Sequence, residues 1–314
     1  MRYDDFRRSD DIEDRRDDSG GGMMGGGGGI GLPMGGGGLG IGTIIVLGLI
    51  SYAFGIDPRI LIGGAEILNG GSGSQSSTYQ TDRPSGQRKT GAPSDEMGSM
   101  IAGILGEIDD RWSEEFQSRG QDWVGPKIVL FRNATNGGRC GMAQSAMGPF
   151  YCPPDQKIFL DTGFFREIET RFRGCSGNAC KFTAAYIIAH EAGHHVQNLL
   201  GVIPRVTQLQ QQVSSKAEAN ALQVRVELQA DCLAGVWVNR EAKKRPNFLE
   251  AGDIDAALTT ASAIGDDTLQ RQATGRVVPD SFTHGSAAQR KQWFTTGVRQ
   301  GTVEACNTFE RGAL

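Results

Sequence analysis

Three of the four histidines in this 314-residue chain fall within six consecutive positions, in AAYIIAHEAGHHVQNLLG (184–201). His190 and His194 are one helical turn apart, with Glu191 between them, in the order His-Glu-x-x-His. On a helix that spacing lets two neutral imidazoles reach a single Zn²⁺, while the intervening carboxylate can act on a metal-bound water. The alternative is a pair of helix-surface histidines beside a glutamate, and the apolar, alanine-rich context argues against it. His195 points about 100° away from His194 and cannot join the same row, so it is expected to pack or support the site without binding metal.

A catalytic zinc keeps three protein ligands and an open position for water, so a third ligand must come from elsewhere in the chain. His284 is the only other histidine. The best carboxylate is Glu227 in VRVELQADCLAGVW (224–237), with Asp231 four residues on and on the same helical face. Glu227 would bind zinc and Asp231 would accept the outer ring N–H of a ligating histidine. Without the histidine motif both would pass for ordinary helix-surface acids.

The segments AHEAGHHVQNLLG, ELQADCLAGVW and THGSAAQR, with a glycine-rich N-terminal tail and a single hydrophobic stretch, resemble the bacterial family of neutral zinc metallopeptidases. The resemblance covers nearly the whole chain and is most specific over residues 190–235. It implies zinc ligands at His190, His194 and Glu227, a catalytic Glu191, and a zincin-like domain with the downstream glutamate of the gluzincin pattern. It leaves the substrate open.

The elements that must position these residues can be read from hydrophobic period. Phe182, Ala185, Ala189, Ala192, Val196 and Leu199 form one helical stripe, ended by Gly201 and Pro204, which places His190 and His194 on the face opposite the core. An amphipathic helix is predicted over MGSMIAGILGEIDDRWSEEFQ (97–117), and further helices over TGFFREIETRF, from Asp253 to Ile264, and over SAAQRKQWFTTGVRQG. KIVLF (127–131) and KIFLD (157–161) read as strands. The expected fold is α+β, helix-dominated, with a small sheet, in a domain spanning 96–314.

The front of the chain differs in composition. Residues 1–18 mix Arg, Asp and Glu with little to bury, and a glycine-rich run follows, so residues 1–38 are expected to be a disordered tail. A phosphate-cradling glycine loop is disfavoured, because no strand precedes it and no Gly-Lys-Ser/Thr follows. The stretch LGIGTIIVLGLISYAF is apolar enough to anchor in a membrane, and residues 39–56 are expected to be a transmembrane helix. A cleaved signal peptide and a buried soluble helix are the competing readings. Residues 57–95, rich in Gly, Ser, Thr and Pro, read as a flexible linker.

All six cysteines lie beyond residue 139. An even set confined to the globular part suggests disulfides, with Cys140–Cys152 and Cys175–Cys180 as the expected pairs because each brackets a short loop. That reading puts the domain in the periplasm behind a single-pass inner-membrane anchor, with the N-terminus in the cytoplasm. Reduced buried thiols are the alternative. A cysteine zinc site is disfavoured, since CSGNAC has no histidine near it.

A net charge of −4, with no Lys/Arg stripe interleaved with aromatics, argues against nucleic acid as a partner. The expected partner is a protein or peptide substrate; the oligomeric state has no signal here. His284 in FTHGSAAQR has two readings, a hydrogen-bond donor to a tetrahedral oxyanion and a helix-capping surface histidine. Arg290 could meet a substrate carboxylate or serve the structure. Two function classes remain: a zinc endopeptidase with Glu191 as general base, and a non-catalytic envelope protein that keeps a structural zinc helix.

Overall fold

The computed structural model describes residues 1–18, 89–170, 175–177, 179–310 and 312–313. Its main sheet runs in the order β2-β1-β3-β7-β6. At its centre β3 (Lys127–Phe131) and β7 (Lys157–Asp161) pair in parallel, Ile128 opposite Ile158 and Leu130 opposite Leu160. Both strands are short apolar runs buried on two faces, as central parallel strands must be. The edge strand β6 (Phe150–Cys152) runs antiparallel to β7. A small hairpin, β4 (Ala134–Asn136) with β5 (Met142–Gln144), is tied to β6 by the Cys140–Cys152 disulfide.

The remaining strands come from the front of the chain. β1 (Ile12–Asp14) lies between β3, in parallel, and β2 (Lys89–Thr90), antiparallel. Residues 1–17 and 89–314 thus form one compact unit, which differs from the expected disordered tail over the first of these residues. Composition misled because the apolar residues here are few, yet Met1, Phe6 and Ile12 are all buried. Phe6 packs against Phe248, ring centroids 6.0 Å apart, and Arg245 lies over the Phe6 ring. The charges find partners far along the sequence: Arg7 with Asp110 at 2.8 Å, and Arg16 with Asp95 as well as with its neighbour Asp14. Each fully buried large apolar side chain contributes roughly 1.5–3 kcal/mol, against at most about 1 for an exposed ion pair, so burial and the strand ladder hold this arm.

This arrangement overturns the expected single-pass topology and the periplasmic localisation built on it. Residues 12–14 are hydrogen-bonded into the same sheet as residues 89–90 and 128–130. One membrane crossing between Asp18 and Lys89 would have to separate paired strands. Among the described residues no helix is long and apolar enough to cross a membrane. The expected anchor at 39–56, the glycine run before it and most of the linker lie outside the described residues.

Helices cover the sheet. Helix α1 (Glu96–Ser118) starts where the Asp95 side chain accepts the Gly98 N–H, and buries Ile101, Ile104, Ile108, Trp112 and Phe116. After the short α2 (Phe164–Thr170) come α3 (Ala179–Leu199) and α4 (Val202–Gln210), which meet at Gly201 with φ 78°. Gly201 stops α3 as expected, and Pro204 falls in the first turn of α4, where its missing N–H costs nothing. Then follow α5 (Lys216–Lys244), α6 (Asp253–Ala263), α7 (Asp266–Thr274) and α8 (Ala287–Gln300), the last opened by a capping box between Ser286 and Gln289. The helices α5 and α8 cross closely because Gly235 and Gly297 leave no Cβ at the contact; one on Gly297 would collide with the Cys232 carbonyl. Disulfides join Cys140–Cys152, Cys175–Cys180 and Cys232–Cys306, with no free cysteine among the described residues.

Candidate metal centre

The histidine face of α3 does not look away from the core. It is covered by α5, and His190, Glu191 and Glu227 are all buried. What lets the two helices approach is Gly193, between the histidines in the motif, which sits directly against Ala230 of α5. At that separation a glutamate side chain spans the gap. Glu227 Oε2 lies 3.2 Å from His190 Nε2 and 3.5 Å from His194 Nε2.

The outer side of each ring is fixed. His190 Nδ1 lies 2.8 Å from Asp231 Oδ1; a carboxylate can only accept, so Nδ1 carries the proton. His194 Nδ1 lies 2.8 Å from Gln197 Oε1. The Gln197 amide nitrogen is committed to Val226 O and Gln229 Oε1, so its oxygen faces the ring and accepts. Both Nε2 lone pairs therefore converge on Glu227 Oε2, while Gln223 Nε2 donates to the other Glu227 oxygen at 3.0 Å. Three acceptor atoms facing one another in a buried space call for a cation. Ligands about 2.0–2.1 Å from a tetrahedral zinc stand about 3.3 Å apart, close to the 3.2 and 3.5 Å that separate Glu227 Oε2 from the two imidazoles, and all three donor atoms lie within 4.8 Å of one another. Among the described residues His190, His194 and Glu227 are the group whose donor atoms gather closely enough to hold a metal ion.

The electrostatics agree. Desolvation disfavours the charged imidazole of His190, but Asp231 and Glu227 outweigh it and push the group up to about 10. Burial likewise opposes ionisation of Glu227, yet the two imidazoles hold it well below the usual carboxylate range. The cluster favours positive charge at its centre, which a divalent ion supplies in place of a proton.

Asp231 is held by more than the ring. Arg290 of α8 forks onto it, Nε to Oδ2 at 2.8 Å and Nη2 to Oδ1 at 3.0 Å, and the Tyr186 hydroxyl donates to Oδ1 at 2.6 Å. Arg290 is buried, so of its two expected roles the structure shows the internal one. Glu191 lies beside the cluster with no hydrogen-bond or ion-pair partner among the described residues, and burial raises its carboxyl while both imidazoles oppose the rise. His195 is buried elsewhere: Nε2 donates to Val124 O at 2.6 Å, Nδ1 accepts from the Tyr151 hydroxyl at 2.9 Å, and burial lowers it to about 4. That is the packing role expected from its direction.

His284 stands about half exposed in the loop before α8, its Nδ1 3.2 Å from Asp266 Oδ1. It is not among the gathered metal-binding donors. Sequence reasoning missed Tyr186, Gln197 and Gln223, although each is three or four residues from a ligand candidate on the same helical face, and that spacing was the available signal. Asp266 had no comparable signal, being distant from every motif.

A family profile described as "Putative neutral zinc metallopeptidase" matches residues 1–309. The chain is 43% identical over 309 residues to "Uncharacterized protein YpfJ" of Escherichia coli (strain K12), covering 98% of this chain and 99% of that one. It is 46% identical over 197 residues to "Uncharacterized protein Rv2575" of Mycobacterium tuberculosis (strain ATCC 25618 / H37Rv), covering 60% of this chain and 64% of that one. No solved structure matches. The two-imidazole, one-carboxylate donor set suits the zinc that the family description names. On the match along almost its whole length, this chain belongs to the neutral zinc metallopeptidase family.

Proposed function

We propose that the protein is a zinc-dependent peptidase that hydrolyses peptide bonds of proteins or peptides, with His190, His194 and Glu227 holding the ion. The observation that carries this reading is the convergence of those three side chains from two helices, with both imidazoles pinned at Nδ1 so that Nε2 faces the centre. When bound, the zinc supplies a Lewis acid and a water whose pKa falls toward about 7.

The chain's own groups do the rest. Asp231 and Gln197 keep the histidine lone pairs aimed inward through the cycle. Glu191, adjacent in sequence to His190 and otherwise unengaged, takes a proton from water at its carboxylate and returns it to the leaving nitrogen. Burial favours its protonated form, and that helps it hold the proton between the two transfers. His284, on a loop pressed against the helix that carries Glu227, donates a hydrogen bond from Nε2 to the oxygen that gains charge.

The test is metal content and cleavage of an unfolded protein by the full chain. One zinc per chain, loss of cleavage on chelation and recovery on adding zinc support the reading. Zinc content equal in wild type and His194→Ala would defeat the ligand assignment. A zinc-loaded protein that cleaves nothing would leave a non-catalytic binding protein as the function.

A further inference from the structure

The loop carrying His284 is shaped by one carboxylate. Asp266 Oδ2, at the start of α7, accepts the backbone N–H groups of Thr283 and His284, each at 2.7 Å, and of Gly285 at 3.1 Å. The Asp266 N–H returns a hydrogen bond to the Gly285 carbonyl at 3.0 Å. Those contacts are enough to form the turn, yet the second oxygen, Oδ1, is directed at the His284 ring.

The other wall of the loop is α5. Gly285 has φ +92°, and a Cβ there would stand 3.1 Å from Leu228 Cδ2 and 3.4 Å from Val224 Cγ1. These residues flank Glu227, so the loop is seated on the part of α5 that contributes to the metal centre, and the charges of Glu227 and His284 act on one another. Thr283 Oγ1 is also near His284 Nδ1, at 3.1 Å, and its rotatable hydroxyl can yield to the carboxylate.

We propose that Asp266 is a positioning residue for His284: by accepting the Nδ1 proton it turns Nε2 outward beside Glu227, where Nε2–H can donate to the substrate oxyanion. The proposal rests on the peptidase reading above. The charged groups around the ring are Asp266, Glu227 and Arg290. Neighbouring atoms partly desolvate the half-exposed ring and Arg290 disfavours the imidazolium, but Asp266 and Glu227 prevail, so the group is raised from its ordinary value toward the form with a proton on each nitrogen.

The experiment uses the full, zinc-loaded chain with ¹⁵N-labelled histidine, read beside peptide cleavage. In wild type, the neutral form of His284 should carry its proton on Nδ1; an Nε2–H tautomer would overturn the proposal with no variant needed. Asp266→Asn keeps an acceptor for the loop amides and turns an NH₂ toward the ring, so it should lower the His284 pKa and reduce kcat by about 10²-fold with KM little changed. In a His284→Ala background, Asp266→Asn should reduce kcat no further. An equal loss in both backgrounds would make Asp266 merely structural and overturn the proposal while leaving the peptidase reading intact. A zinc-loaded wild type that cleaves nothing would remove both.

Discussion

Gly193 on the zinc helix faces Ala230 on α5, and a Cβ built on Gly193 would stand 3.0 Å from the Ala230 carbonyl oxygen. The contact sets the distance that Glu227 must reach across to His190 and His194. Gly193→Val should therefore weaken the site as well as the packing. We expect a stability loss of about 1–3 kcal/mol from overpacking, despite the better helix propensity, together with reduced zinc affinity. Thermal melts and competition with a zinc chelator measure the two effects. Unchanged affinity in a destabilised variant would show that the helix separation does not govern the site.

Asp231 and Arg290 form a buried ion pair whose role can be separated from its stability. Arg290→Met leaves the Asp231 charge partly unpaired and should cost about 3–5 kcal/mol. Adding Asp231→Leu should recover part of that loss by removing the buried charge, less what it costs to leave the Tyr186 hydroxyl and His190 Nδ1–H without their acceptor. Zinc affinity should not recover with it. Loss of the acceptor on His190 Nδ1 is expected to weaken binding by about 10- to 100-fold. Affinity restored together with stability would mean that Asp231 does not orient the histidine.

The N-terminal arm is part of the fold. A chain beginning at residue 89 would lack β1 and expose the edge of β3 that pairs with Ile12–Asp14. We expect it to lose cooperative unfolding or to aggregate. The full chain carrying Ile12→Asp should lose several kcal/mol, since it places a charge at a site with 1% exposure. Circular dichroism and melting curves read both. A truncated chain as stable as the whole would refute the role given to β1.

Asp109 predicts a pH dependence. Burial raises its carboxyl to about 7, with the Trp123 indole N–H at 3.2 Å and Arg7 opposing the rise and Asp11 and Asp110 adding to it. The folded state thus keeps a proton that the unfolded chain releases near its ordinary value of 3.8. Stability from this group is complete below about pH 4 and is lost as pH rises through about 7. Asp109→Asn keeps the acceptor for Trp123 and carries no charge. Denaturant titrations should show the variant matching wild type near pH 4 and exceeding it increasingly toward pH 8. A constant difference across that range would contradict the assignment.

Much of the architecture was legible because it is local. KIVLF and KIFLD are the central strands residue for residue, and the helices expected over 97–117, 253–264 and 286–301 are α1, α6 and α8 to within a residue at either end. Cys140–Cys152 and Cys175–Cys180 pair across short loops as their spacing suggested. The juxtaposition of Glu227 and Asp231 with the histidine helix followed from chemistry, since a zinc site needs a third ligand and a ring N–H needs an acceptor. What period could not show was the burial of the histidine face. That depends on Gly193 meeting Ala230, a contact between separate helices. The place of Ile12 in the sheet was hidden in the same way, its parallel partner Ile128 lying far along the chain and its neighbours being charged.

The central claim is that Glu191 works on a zinc held by its neighbours, and Glu191→Gln tests it most directly. The side chain is not one of the gathered donors, so the full-length variant should fold, melt as wild type does and retain one zinc per chain. Cleavage of an unfolded protein should nevertheless fall by about 10²- to 10⁴-fold, the usual worth of general acid–base chemistry. Zinc retained with activity lost is the predicted result. Full activity in the zinc-loaded variant would contradict the account.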